Sequence, residues 1–288
     1  LPRCFFVSDL HGQTARYRRL WEIVADERPH ALFLGGDLLP HPFNRDWAGD
    51  GKGADFVTDC LQDGFRRLQQ SLGPAYPRVF LILGNDDPRR CEAKIVQTAA
   101  AGLWSYVHAS RDGFENFDVY GYACVPPTPF LLKDWERYDV SRYVDPGAIA
   151  PEEGRFSVPV DLRALRLTTI QEDLEQLAGG ASLERSIFLF HSPPYRTKLD
   201  RAALDGKTVD HAPLDVHVGS IAIERFIAAK QPRVTLHGHV HESAQLTGSW
   251  RDRIGACHLF SAAHSGPELA LVRFDPECPD QAVRELLS

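Results

Sequence analysis

The 288-residue chain contains no methionine, not even at position 1. Its six cysteines (Cys4, Cys60, Cys91, Cys124, Cys257 and Cys278) form no Cys-x-x-Cys pair and no dense framework. That pattern argues against a disulfide scaffold and for reduced thiols in a core. No apolar run reaches the roughly 18 residues that a membrane span needs. Nor is there a Lys/Arg run or basic stripe, and the net charge is −7. A protein that coats nucleic acid is therefore not expected. Acidic balance leaves a phosphate substrate open, because bound cations reverse the local field. The sequence as given enters its first β-forming run by residue 4, which leaves no room for a leader in it, and the reduced core thiols make a cytoplasmic protein the expectation.

What is present is ordinary bulk with unusual punctuation. With 43% hydrophobic and 25% charged residues, the chain can bury a substantial core. Five short segments stand out: Asp9-Leu10-His11, Gly35-Gly36-Asp37, Gly84-Asn85-Asp86-Asp87, His191 before Pro193-Pro194, and Gly238-His239-Val240-His241. Each follows a short run of β-formers, at 4–8, 31–34, 79–83, 187–190 and 234–236. Any one alone is weak: Asp-x-His often lies in a surface loop, and Gly-Gly-Asp reads as a turn. Together they deliver carboxylate, imidazole and amide oxygens from the ends of five strands to one sheet edge. That is a way to build a site for two divalent metals.

Between the motifs, apolar spacing predicts helices over 14–28, 54–72, 89–103, 168–178 and 220–230, the last N-capped by Ser220. Strands alternating with helices predict an α/β architecture with ligands in the connecting loops. Strands at 117–122, 256–261 and 269–274 follow turns rather than crossover helices and suggest an additional, partly antiparallel sheet. Residues 39–53 read as a Gly/Asp/Pro-rich loop. Residues 125–160 carry Phe130, Trp135, Tyr138 and Tyr143 without clear periodicity. This is an aromatic-rich insertion that could either bury itself or line a substrate. No composition break divides the chain, so residues 1–288 are expected to form one domain.

In this order, the five motifs resemble those of the calcineurin-like metallophosphoesterase superfamily. The resemblance covers residues 9–241 and implies a four-layer αββα sandwich with a dinuclear metal centre at its edge. By motif position, Asp9, His11 and His241 would hold one metal and Asn85, His191 and His239 the other. Asp37 would bridge them. A donor set of oxygen and nitrogen without thiolate suits Mn, Fe or Zn. His239 and His241 are two residues apart, so in an extended chain they would point to opposite sides. His237 is expected at a strand end or behind a ligand rather than on a metal.

The third motif departs from the family pattern. Many members carry histidine where this chain has Asp86, and that histidine assists the leaving group. Beside two metals, Asp86 is expected to ionise and to lose the ability to donate a proton. His41 or His217 could then act as the acid, or the leaving group could need little help. His211 and His264 are further candidates for substrate contact. Pro40 stands where purple acid phosphatases have a ligating tyrosine, which disfavours that branch. The resemblance implies a hydrolase of phosphoesters, metal-dependent, with a dimetal-bound hydroxide as nucleophile, and Asp86 turns the expectation to a phosphodiesterase on a small nucleotide-like or other organic phosphate. Asn85 and Asp86 would be its catalytic residues. A phosphomonoesterase with the same centre, or a non-catalytic metal-binding scaffold, are the alternatives. A nuclease on long DNA is disfavoured by the missing basic track.

Overall fold

A computed structural model describes residues 3–41 and 55–288. Beyond His41, the Gly/Asp/Pro-rich stretch lies outside the described residues. The strands, in chain order, are β1 Cys4–Val7, β2 Ala31–Gly35, β3 Arg78–Ile82, β4 Ser105–Tyr106, β5 Ser110–Phe114, β6 Phe117–Tyr122 and β7 Ser186–Phe190. They continue with β8 Thr208–Val209, β9 Ala212–Pro213, β10 Val234–His237, β11 Arg251–Ile254, β12 Cys257–Ser261, β13 Leu269–Phe274 and β14 Val283–Leu287. The α-helices are α1 Thr14–Glu27, α2 Asp63–Leu72, α3 Glu92–Ala100, α4 Leu162–Leu167, α5 Ile170–Ala178, α6 Ile221–Lys230 and α7 Ser243–Thr247.

Two six-stranded sheets carry the fold, in the orders β14-β13-β1-β2-β3-β4 and β11-β12-β10-β7-β6-β5. In the first, β1 to β4 are parallel; in the second, β12, β10, β7 and β6 are parallel. Strands β1, β2, β7 and β10 are buried along their whole length, as sheets covered on both faces require. Aromatic rings join the two sheets: Phe33 meets Phe114, and Phe260 meets Phe274. Outside them, Tyr17 and Leu20 of α1 pack beside the first sheet, and Phe226 of α6 packs on Phe188 and Phe190 of the second. The result is the expected αββα layering.

An additional, partly antiparallel sheet does form, with β11 and β5 antiparallel at its two edges, but only two of the three strands expected in it, β6 and β12, lie there. Strands β6 and β12 join β7 and β10 in parallel, and β13 pairs antiparallel with β1. Turns before a strand do not fix its partner, because non-local pairing decides it. The motif strands are accordingly divided, three in the first sheet and two in the second. The motifs meet at an edge shared by both sheets rather than at the edge of one.

Local signals worked better. Ser220 accepts the Ile223 amide at 3.0 Å as the N-cap of α6, and Thr169 with Glu172 closes a capping box on α5. The 125–160 segment is largely a clamp. Asp139 accepts the Ile221 and Ala222 amides at the start of α6, and Tyr138 O accepts the Ile170 amide at 2.7 Å. Trp135 and Tyr138 are buried, so neither ring is available for stacking on a substrate, whereas Phe130 and Tyr143 are exposed. All six cysteines are free thiols. Among the described residues, no helix is long and apolar enough to cross a membrane.

Candidate metal centre

The motif loops are stitched to one another by backbone bonds. Asp9 N and His11 N donate to Gly36 O and Asp37 O at 3.0 and 2.8 Å, tying the first motif to the second. Gly238 N donates to His191 O at 3.0 Å, tying the fifth to the fourth. Asp86 N donates to Asp37 Oδ1 at 2.8 Å, bringing in the third. Asp9, His11, Asp37 and His239 all have positive φ, between 46° and 73°. Non-glycine residues in that region cost free energy, and such strain collects at functional sites. The glycines of the motifs admit close approach. A Cβ on Gly36 would lie 2.6 Å from His191 Nδ1, where φ is also +93°.

One oxygen or nitrogen from each of Asp9, His11, Asp37 and His241 lies within 4.8 Å of the others, a group able to hold a cation. His241 Nε2 is 3.2 Å from Asp9 Oδ1 and faces His11 Nε2 at 3.2 Å. Next to this group, His191 Nδ1–H donates to Gly35 O at 2.8 Å, which leaves Nε2 facing the site. That Nε2 lies 3.0 Å from Asn85 Oδ1 and 3.2 Å from Asp37 Oδ2. The His239 ring is 5.3 Å from that of His191. Asp37 therefore touches both clusters.

The buried charges depend on one another. Burial alone would push the Asp37 carboxyl up, yet the facing His191 and His11 bring it down to about 2. Burial would likewise push His191 down, but Asp37 and Asp9 raise it to about 10. Burial and the His191 charge push His239 down to about 3, leaving a neutral imidazole. The donor chemistry fits a divalent cation: carboxylates, an amide oxygen and imidazoles that would give up their site-facing protons to the metal, without thiolate.

All seven sequence-nominated ligand residues are thus gathered at this edge. His239 and His241 diverge as expected, although for another reason: the chain turns at His239 instead of running extended. Asp86 is also here, 3.7 Å from His11 Nδ1, and its Oδ1 accepts from Asn85 Nδ2 at 3.2 Å. The protein's own charges act on it in the sense opposite to the expected ionisation. Burial and the Asp37 charge raise its pKa, with His11, His41 and His191 opposing. His237 is not at the site. Its Nδ1 pairs with Ser192 O at 2.9 Å and its Nε2 with Thr235 Oγ1 at 2.8 Å, so both nitrogens are occupied in the core. His217 pairs with the buried Asp200 at 2.9 Å, His264 pairs with Glu268 at 3.0 Å, and His211 is exposed.

Two supporting residues were not legible as such. Asp87 is fully buried and accepts the amides of Gly84, Leu38 and Leu39, pinning the third motif to the second. Within a metal motif, its carboxylate looks like any other ligand candidate. Arg16 is buried and donates to Asp9 O at 2.7 Å and to Gly266 O. Its position on the stripe shared with Leu20 and Val24 was the available cue.

Comparison with functionally curated proteins found no match. Among solved structures, the chain is similar to the Thermus thermophilus protein TT1561, at 16% identity over all of both chains with a TM-score of 0.54. It is also similar to a dimetal phosphatase from Danio rerio, at 12% identity over 99% of this chain and 96% of that one, with a TM-score of 0.53. At such identities the likeness speaks for the fold alone. The profile of the calcineurin-like phosphoesterases matches residues 2–243, a span that takes in all five motifs and the strands that place them. The chain belongs to the calcineurin-like phosphoesterase family, and so to a class of metal-dependent phosphoester hydrolases.

Proposed function

We propose that the protein is a dinuclear phosphodiesterase acting on a small nucleotide-like or similar organic phosphate, with Mn, Fe or Zn as the two cations. Asp9, His11 and His241 would hold one ion and Asn85, His191 and His239 the other, with Asp37 shared. The observation that carries this reading is the position of Asp37, within 4.0 Å of His11 Nε2 and 3.2 Å of His191 Nε2. When bound, two such ions supply a water nucleophile at neutral pH and positive charge for the phosphoryl oxygens.

The chain's own groups prepare for that chemistry. Gly35 O fixes the His191 tautomer, and the Asp86 amide holds Asp37 in register. Asn85 presents Oδ1 toward His191 while its Nδ2–H is held by Asp86. The diester preference rests on Asp86, a carboxylate standing where a histidine would protonate a poor leaving group. The core is continuous across both sheets, which supports one domain. Free thiols support a cytoplasmic setting. The acidic balance supports a small substrate over a nucleic-acid polymer.

The test is hydrolysis of paired chromogenic phosphate mono- and diesters by chelator-treated protein resupplied with Mn, Zn or Fe, with Asn85→Ala as control. Metal-dependent diester turnover that collapses in Asn85→Ala is the expected result. Equal or faster monoester turnover would overturn the diester preference. Two bound metals without any turnover would replace the enzyme by a metal-binding scaffold.

A further inference from the structure

A cavity of about 620 Å³ lies between α5 and the β5–β6 edge, and none of the proposed metal ligands lines it. Three arginines, Arg89, Arg111 and Arg137, line it against one acidic side chain, Asp173. In a chain of net charge −7 this is a local excess of positive charge. The size suits a small organic ligand.

Arg111 is answered by Asp118 at 3.9 Å, whereas Arg137 is answered incompletely. Arg137 Nε is buried and has no hydrogen-bond partner among the described residues. It lies 3.7 Å from Asp173 Oδ2, and that oxygen already accepts the Tyr122 hydroxyl at 2.6 Å. Arg89 reaches Glu92 at 3.3 Å and stacks 5.1 Å from the centroid of a Trp135 ring. His108 adds a neutral donor. Its Nδ1 accepts the Ala123 amide at 3.0 Å, which places the ring proton on Nε2. Burial and the charges of Arg89 and Arg137 push that imidazole down to about 3. The Arg137 Nε has no surface open to a ligand, so an oxyanion in the cavity would meet the other N–H groups of the guanidinium, on a side chain that is 24% exposed.

We propose that this cavity is an anion site for a phosphorylated small molecule, separate from the metal centre, with Arg137 and Arg89 taking the phosphoryl group. Leu177 and Ala181 supply an apolar wall for the organic part. Trp135, which packs on both Arg89 and His108, also donates to Asp87 O at 2.8 Å. The cavity and the third metal motif therefore share a wall.

The test is calorimetric titration of the metal-loaded full chain with adenosine 5′-monophosphate and, separately, with inorganic phosphate. Two variants are compared with the wild type. Arg137→Gln removes the lining guanidinium, and Gln176→Glu places a carboxylate in the cavity from an exposed helical position. The wild type is expected to take up the nucleotide at a site beyond the metal centre, with affinity falling at least about tenfold in each variant. Diester hydrolysis in the absence of nucleotide is expected to stay unchanged in both. Uptake of inorganic phosphate with the same sensitivity would make the free ion a ligand of this site, in support of the proposal. Nucleotide uptake unaltered in both variants, or no uptake beyond the metal centre, would overturn it. Uptake that persists in Asn85→Ala while turnover is lost would separate this site from the proposed catalytic one.

Discussion

Gly84 has no unusual backbone angle, so replacing it tests contact alone. A Cβ at this position would lie 2.4 Å from Asp37 Oδ1, 2.5 Å from Asp37 N and 2.7 Å from His191 Cε1. Real Cβ atoms keep at least 3.0 Å from their neighbours, so the Asp37 carboxylate must retreat by about 0.6 Å. It has little freedom to do so. The Asp37 carbonyl is held by His11 N, and its Oδ1 is held by Asp86 N. Metal–ligand distances tolerate about 0.2 Å, so the displacement is well outside the working range. Gly84→Ala is therefore expected to lower metal affinity and diester turnover by roughly 10–100-fold, as loss of a ligand's support does. Crowding should also cost about 1–3 kcal/mol of stability. Metal content after dialysis, turnover and a urea midpoint measure these effects, with Gly180→Ala as the control because nothing lies within 4 Å of its Cβ. Wild-type metal content and turnover in Gly84→Ala would refute the reasoning.

Arg16→Met should leave the Asp9 and Gly266 carbonyls without their buried donor, at a cost on the order of 3 kcal/mol. It should also weaken metal binding through Asp9, whose φ of 55° needs support; denaturant unfolding and metal titration report the two losses separately. His237 is neutral in the core, its pKa pushed down by burial from 6.5 to about 4. The unfolded chain then binds the extra proton between these values, so the contribution is complete above pH 6.5 and is lost as pH falls toward 4. The loss is worth about 3 kcal/mol. Unfolding in chelator at pH 7.5 and 4.5 should show a smaller pH dependence in His237→Gln than in the wild type, and equal slopes would contradict this account.

Much of the site is legible locally because ligand chemistry is written in short motifs. Asp9-x-His11 and Gly238-His239-x-His241 announce donor types, and the β-forming run before each places it at a strand end. Helix starts are equally local, as Ser220 shows, because a cap needs only a side-chain oxygen and an amide three residues on. The limits appear where partners are distant. A turn before residue 269 does not say that β13 will pair with β1 rather than join another sheet. Trp135 and Tyr138 carry no periodic signal, and only the packed structure shows that their rings are buried.

The sequence by itself determined the donor set, the order of the motifs and the alternation of strands with helices, since residue chemistry and apolar period are properties of neighbouring positions. Tertiary structure alone decided which carboxylates and imidazoles share a space. It placed Asp37 between His11 and His191, occupied both nitrogens of His237, and turned Asp87 and Arg16 inward as supports. Distances between residues far apart in the chain, and the burial that shifts their charges, exist only once two sheets have closed on each other.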